Sequence, residues 1–160
     1  MRALQEDTRQ QRHSGDKHST KHEGWAAAGV AVVRSKLAFG DYALVPAASV
    51  DTKRDIQELA QDVFQQHDRF RRELVGARDA GTKLYILTEN DEGIRSLADL
   101  AAWKESAKQF AKRKGAQVRI DGGRLAKACA TMERKYQATF LFCAPDESAA
   151  LIVELLRKEG

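Results

Sequence analysis

The order of apolar and polar positions divides the chain into strands and helices. Two short apolar runs bounded by polar residues, 83–88 and 138–143, have the pattern of buried central strands. Segments 2–7 and 30–36 fit shorter strands. Apolar positions with a period near 3.6 predict helices over about 54–65, 67–80, 96–103 and 121–136, and from Pro145 onwards. This arrangement predicts an α/β domain with helices on both faces of a central mixed sheet.

The segment 40–53 (GDYALVPAASVDTK) predicts a two-strand hairpin that carries candidate catalytic residues. Pro46 and the small residues around it supply the turn, so antiparallel pairing would bring Asp41 towards Asp51. Because side chains alternate along a strand, Asp51 and Lys53 point to one face and Thr52 to the other. Two carboxylates and a lysine on one face suit phosphodiester hydrolysis with a divalent cation such as Mg²⁺. A solvated strand edge is the simpler interpretation of an Asp-x-Lys triplet alone.

Composition narrows the class of protein without naming a partner. The length of 160 residues fits one domain with its own core, and the 42% hydrophobic content is typical of a globular chain. No apolar run is long enough to span a membrane, and the polar start does not resemble a secretory signal, so a cytoplasmic location is expected. Cys129 and Cys143 lie in apolar patterns and are expected to be buried free thiols.

Basic side chains provide candidate phosphate contacts. The net charge of +4 permits a polyanionic partner without requiring one. The predicted helix 67–80 carries four arginines away from its apolar face, Arg69, Arg71, Arg72 and Arg78, and the stretch 104–115 is the most basic of the chain. For both segments, phosphate contact and a solvated charged surface remain open alternatives.

Three histidines near the start of the chain, His13, His18 and His22, raise the question of a metal site. His18 and His22 would share a helix face and form a pair of metal ligands. No glutamate stands between them as in an HExxH motif, and no cysteine lies nearby. A solvated helix or loop is therefore the favoured interpretation.

Several stretches, taken in order, resemble the nuclease domain of the XPF-type structure-specific endonucleases, a branch of the PD-(D/E)XK restriction-like nucleases. The sequence Asp7-Thr8-Arg9-Gln10 is similar to the family's D-x-R-E motif, and residues 37–42 (LAFGDY) are similar to its L-x-x-G-D-Y segment. Asp51-Thr52-Lys53 resembles the E-R-K signature. Arg69 and then 86–89 (ILTE) match a later helix and strand. The resemblance covers about residues 2–89, and it looks like a compact, stand-alone bacterial or phage form.

This resemblance implies a restriction-endonuclease-like fold over a single domain, 1–160, and a DNA endonuclease that depends on Mg²⁺ or Mn²⁺. It implies a homodimer as well. The residues expected to carry the chemistry are Asp7, Asp41, Asp51 and Lys53, of which the three acids would ligate the metal together with the Thr52 carbonyl. Arg9, Arg69 and Arg72 are the expected contacts to DNA.

Departures from the family pattern keep other functions open. Gln10 stands where the family has glutamate, Asp51 replaces the longer signature acid, and Gln57 stands where an aspartate usually follows the lysine. Asp55 or Glu58 is a candidate substitute for that aspartate. A catalytically inactive module that binds DNA or a protein is therefore the alternative function, and an RNA-processing nuclease would use the same site.

Overall fold

The computed structural model describes residues 3–10, 17–44 and 47–159, without the side chains of 17–19. It contains a mixed sheet of six described strands: β1 (Leu4–Asp7), β2 (Val32–Ser35), β3 (Tyr42–Leu44), β4 (Ala48–Lys53), β5 (Lys83–Glu89) and β6 (Thr139–Cys143). The described α-helices are α1 (Lys17–Ala27), α2 (Ile56–Ala60), α3 (His67–Asp79), α4 (Leu97–Ala102), α5 (Ala107–Lys112), α6 (Gly122–Tyr136) and α7 (Ser148–Glu159). The predicted strands and helices are thus confirmed as elements, with some shifted ends.

The sheet order is β2-β1-β3-β4-β5-β6. β3 pairs antiparallel with both β1 and β4, while the β1–β2, β4–β5 and β5–β6 pairs are parallel. In the hairpin, Tyr42 lies opposite Val50, so the predicted pairing of these two segments is confirmed. The predicted turn at Pro46 lies outside the described residues. This topology places the hairpin in the middle of the sheet.

Helices cover both faces of the sheet, as the hydrophobic pattern predicts. On one face α2, α3, α4 and α6 pack over the strands through a core that includes Ile56, Leu74, Ile86, Leu125 and Phe140. On the other face α1 and α7 enclose a second core. Its largest members include Trp25, Tyr42, Leu87 and Ile152.

Polar caps fix the starts of several helices. Asp55, Ser96 and Asp121 each accept a hydrogen bond from the backbone three residues on, which satisfies an otherwise unpaired helical N–H group. The helix predicted over 54–65 is not uniform, because α2 ends at Ala60 and a π-helical turn, Gln61–Gln65, follows. Within the basic stretch 104–115, Ser106 and Gln109 form a capping box that starts α5.

Gly122 allows α6 to approach α4 closely. A Cβ atom there would overlap the carbonyl oxygens of Leu100 and Trp103, so any larger residue would force the two segments apart. Cys129 and Cys143 are buried and free, as predicted. Within the described residues no helix is both long and apolar enough to cross a membrane.

Candidate functional site

The backbone brings the three predicted aspartates close together: Asp7 ends β1, Asp41 immediately precedes β3, and Asp51 lies in β4. The Asp7 amide donates to the Asp41 carbonyl at 2.8 Å, and the Asp41 amide donates to the Val50 carbonyl at 2.8 Å. Gly40 immediately precedes Asp41 with φ of 73°, in the left-handed region that favours glycine. A Cβ atom on Gly40 would lie 3.0 Å from the Val50 carbonyl oxygen. This glycine therefore sets where Asp41 enters the sheet.

Asp41 is held in place by three hydrogen bonds. The Thr52 amide and hydroxyl both donate to its Oδ2 atom at 2.8 Å, and Gln10 Nε2 donates to its Oδ1 atom at 2.9 Å. Burial, followed by the negative charge of nearby Asp51, raises the pKa of Asp41 well above its usual range. Two carboxylates in this position repel each other, and a bound cation would relieve that repulsion.

Lys53 lies between two carboxylates. Its Nζ atom is 2.8 Å from Asp51 Oδ2 and also forms an ion pair with Asp62. Burial opposes the charged form of Lys53, but Asp51 and Asp62 outweigh it and raise the pKa of the lysine. The Phe70 ring lies below the ammonium, 5.2 Å from its centroid. Lys53 is therefore a buried, fully charged ammonium on the same side of β4 as Asp51, as the strand alternation predicts.

Two further acids join this cluster that the sequence did not single out. Asp62 comes from the π-helical turn and Glu73 from α3. Glu73 Oε1 accepts a hydrogen bond from the Gly40 amide at 3.2 Å. Burial, and then the charge of Asp51, raise the pKa of Glu73 to about 7. Both residues lie on polar faces of helices, so hydrophobic periodicity carries no signal for them.

Asp7 is buried but differs from Asp41 in its partners. Its Oδ1 atom accepts from the Leu37 amide at 3.0 Å, and its Oδ2 atom forms an ion pair with Arg9. Burial opposes its ionisation, but these hydrogen bonds and the Arg9 charge lower the pKa of Asp7 overall. Both carboxylate oxygens are thus already engaged, and Asp7 itself lines neither of the clefts described next.

In the described part of the chain, two openings lead to the cluster. The first, called here the acidic cleft, has a volume of about 530 Å³, and its lining includes Asp41, Asp51, Thr52, Lys53 and Arg69. A small cavity of about 130 Å³ lies beside it and is also bounded by Arg9 and Glu73. Arg69 is exposed and lines both openings. Arg72 is exposed as well but lines neither opening.

The remaining candidates lie elsewhere. His22 Nε2 is 2.6 Å from Glu6 Oε2, and its ring packs edge-on against Trp25. His13 and the His18 side chain lie outside the described residues. Gln57 contacts Glu105 across 3.5 Å, Asp55 caps α2, and Glu58 lines the acidic cleft. Of the two proposed substitutes for the family's aspartate, only Glu58 therefore reaches that cleft.

The donor set around Asp51 suits a hard cation. Asp51 is 7% exposed, and among the described residues its Oδ2 atom is paired with the Lys53 ammonium at 2.8 Å but accepts no well-directed hydrogen bond. Among the same residues no three acidic, histidine or cysteine side chains are grouped as a ready-made metal site. Mg²⁺ commonly uses one or two carboxylates, with waters and substrate phosphates filling the other positions. Asp41 and Asp51 meet that smaller requirement.

Comparison with known proteins identifies the fold. No protein-family model and no curated protein matches the chain. Solved structures do match, and they include XPF from Aeropyrum pernix and XPF from Aeropyrum pernix in complex with DNA. Each is 16% identical with a TM-score of 0.65, and the match covers 98% of this chain and 66% and 64% of those chains. This chain thus spans about two thirds of their length.

These comparisons confirm the expected XPF-like, restriction-endonuclease-like α/β fold. The structural match covers almost the whole chain, whereas the resemblance in sequence covers about residues 2–89. The segment from 90 onwards therefore completes the same fold, although its sequence shows no motif of the family.

Proposed function

We propose that this protein is a metal-dependent DNA endonuclease that hydrolyses phosphodiester bonds in the acidic cleft. The observation that carries the proposal is the Asp41–Asp51 carboxylate pair on adjacent strands of an XPF-like fold, with the Lys53 ammonium 2.8 Å from Asp51. The raised pKa of Asp41 supports a role in binding a cation, because a divalent ion would offset the repulsion between the two acids.

Asp41 and Asp51 would hold Mg²⁺ or Mn²⁺, with the Thr52 carbonyl as a further ligand. When bound, such an ion polarises the scissile phosphate and lowers the pKa of an attacking water. The Thr52 amide and hydroxyl keep Asp41 oriented towards the cleft. Lys53 would stabilise the negative charge that develops on the phosphate, which its fixed position and positive charge favour.

Arginines at the opening would position the DNA backbone. Arg69 lines both openings and Arg9 lines the small cavity, so both are proposed phosphate contacts. Asp7 would hold the Arg9 side chain in position through the ion pair that they form. Three expectations remain predictions of the resemblance: a direct bond from Asp7 to the metal, a contact from Arg72 to DNA, and the homodimer.

DNA is the proposed substrate, because a solved XPF chain of similar fold is described in complex with DNA. The net charge of +4 agrees with a polyanionic partner. An RNA-processing nuclease would use the same carboxylates and lysine. Cleavage of matched DNA and RNA strands under the same conditions distinguishes these two substrates.

The first test is a nicking assay on supercoiled and branched DNA with Mg²⁺ or Mn²⁺. We expect metal-dependent cleavage by the natural chain, and a loss of about 100-fold or more in Asp51→Asn and in Lys53→Met. The first change removes a charged ligand of the cation, and the second removes the positive charge that stabilises the transition state. Asp68→Asn is the matched control, since Asp68 is an exposed acid of α3 that lines neither opening, and it should cleave normally. Undiminished cleavage by Asp51→Asn or Lys53→Met would reject the assignment.

A catalytically inactive module that binds DNA or a protein is the second candidate. The observation in its favour is that Lys53 is held by both Asp51 and Asp62, while Gln10 and Gln57 replace acids of the family pattern. In that case the natural chain would bind DNA or a protein partner but would not cut DNA in the presence of Mg²⁺ or Mn²⁺.

A further inference from the structure

A second, larger cleft opens beside the acidic cleft. This side cleft has a volume of about 1160 Å³ and lies between the α2–π-turn segment and residues 109–124, which comprise the end of α5, the loop after it and the start of α6. Arg54, Glu58 and Gln61 line both clefts, so the two are continuous. An extended ligand that leaves the acidic cleft can therefore pass directly into the side cleft.

Exposed apolar groups are concentrated in this cleft. In the part of the chain that the structure describes, three large hydrophobic side chains are exposed: Val33, Phe64 and Val118. Phe64 and Val118 both line the side cleft, with 43% and 75% of their surface accessible. The π-helical turn buries Val63 in the core and leaves the neighbouring Phe64 ring open to the cleft. An exposed aromatic ring in a cleft that is also lined by charged residues is a stacking surface for a planar ligand.

Positive charges line the same cleft. Lys112, Lys114 and Arg119 make no ion pair with any residue within the described ranges, so their charges remain available to a ligand. The Arg124 guanidinium lies 5.5 Å from the centroid of the Phe64 ring. Arg113 instead pairs with both oxygens of buried Glu105 at 2.7 Å, which anchors the segment that bears the other cations.

The carboxylates of the cleft are largely occupied within the protein. Asp55 and Asp121 cap helices α2 and α6. Glu92 accepts hydrogen bonds from Trp103 Nε1 at 3.0 Å and from Gln109 Nε2 at 2.8 Å. Protein donors thus hold these acids, whereas Lys112, Lys114 and Arg119 project without acidic partners among the described residues. Asp91 is an exposed acid of the same cleft.

We infer that the side cleft binds an unpaired nucleic-acid strand, with its bases stacked on Phe64 and its phosphates on Lys112, Lys114 and Arg119. A duplex hides the faces of its bases, so an aromatic ring recessed in a cleft has nothing to stack on. A single strand exposes those faces, and alternating aromatic and cationic contacts are what bind it without sequence preference. The inference rests on the proposed function, because it states that the substrate strand is unpaired where it continues from the scissile phosphate.

Fluorescence anisotropy with a labelled oligo(dT) strand and a matched duplex, in EDTA to prevent cleavage, tests this inference. Phe64→Ala should weaken binding of the single strand by about tenfold and change duplex binding little. Phe64→Trp should restore the affinity, whereas Phe64→Leu should not, because only the former keeps a ring that stacks. Val33→Ala is the matched control, since Val33 is an exposed apolar residue on β2 outside both clefts, and it should bind normally.

The salt dependence of binding tests the cations of the side cleft separately. Lys112→Ala/Arg119→Ala should lower the slope of log affinity against log salt by about 1.4 for the single strand, which corresponds to two lost phosphate contacts. Lys158→Ala, at an exposed position of α7 outside both clefts, should leave the slope unchanged. Equal effects of Phe64→Ala and Val33→Ala, or an unchanged slope in the double variant, would overturn the inference even if the protein cuts DNA. Binding that depends on Phe64 would support it even if the protein cuts nothing.

Discussion

Gln10 shows how one side chain changes the electrostatics of the candidate site. The resemblance places a glutamate at this position, and the structure shows the Gln10 amide donating to Asp41 Oδ1 at 2.9 Å. An amide stabilises the ionised form of Asp41, whereas a carboxylate would repel it. At position 10 the site therefore lacks a negative charge that the family pattern implies, and this should weaken its affinity for a divalent cation.

Replacing Gln10 by glutamate tests this interpretation. Gln10→Glu should lower the Mg²⁺ concentration for half-maximal cleavage, or for half-maximal Mn²⁺ binding by calorimetry, on the order of tenfold, because ligand charge sets cation affinity. Gln10→Ala removes the donor without adding charge and should not lower that concentration. An identical metal requirement in Gln10→Glu and the natural chain would show that position 10 does not influence the cation.

At the scale of elements, the hairpin is the part of the site that the sequence predicts best. Asp41, Asp51 and Lys53 are brought together by local pairing, and strand alternation is enough to place them. The contributions of Asp62 and Glu73 depend on how a π-helical turn and α3 pack over the sheet. Those contacts join distant segments, and no local pattern of apolar residues predicts them.

Local sequence patterns do not predict the side cleft either. Val63 keeps the hydrophobic period of the predicted helix 54–65, so the sequence gives no sign that the helix widens and exposes Phe64. Residues 104–115 are recognisably basic, but Glu105 is buried because the Ile120 amide and the distant Gln57 side chain also fold against it, and local charge does not predict those contacts. Charge and periodicity thus predict the surface composition but not the shape that it forms.

Gly40 tests how the start of β3 positions the site. Gly40→Ala combines a left-handed φ of 73° with Cβ contacts at 3.0 Å to Ser49 Cβ and the Val50 carbonyl oxygen. Gly29→Ala is the matched control, because Gly29 has φ of 72° but nothing within 4 Å of the added atom. In urea unfolding, Gly29→Ala should cost about 1–2 kcal/mol from backbone strain alone.

Gly40→Ala should cost a further ~1–3 kcal/mol from overpacking. It should also reduce cleavage at temperatures where the variant remains folded, because Asp41 is displaced from Asp51, while Gly29→Ala should cleave normally. Equal losses of stability in the two variants would show that the contact with Val50 is accommodated without cost.

For the molecule as a whole, the candidate site lowers stability at neutral pH. Burial and the charge of Asp51 raise the pKa of Glu73 from 4.5 to about 7, so the folded state binds a proton that the unfolded state has released between these values. Stability contributed by this group is present below about pH 4.5 and is lost as the pH rises towards 7. Asp41, whose pKa is also raised, acts in the same direction.

Glu73→Gln should remove that part of the pH dependence. The glutamine keeps an oxygen for the Gly40 amide but carries no charge, so the variant should be more stable than the natural chain at pH 8 by on the order of 1–3 kcal/mol, and similar to it at pH 4. Thermal unfolding in metal-free buffer across this range measures the difference. Asp68→Asn, at an exposed position on the same helix, should leave the pH profile unchanged. A uniform shift of the Glu73→Gln curve at every pH would instead mean that Glu73 acts through packing and not through its charge beside Asp51.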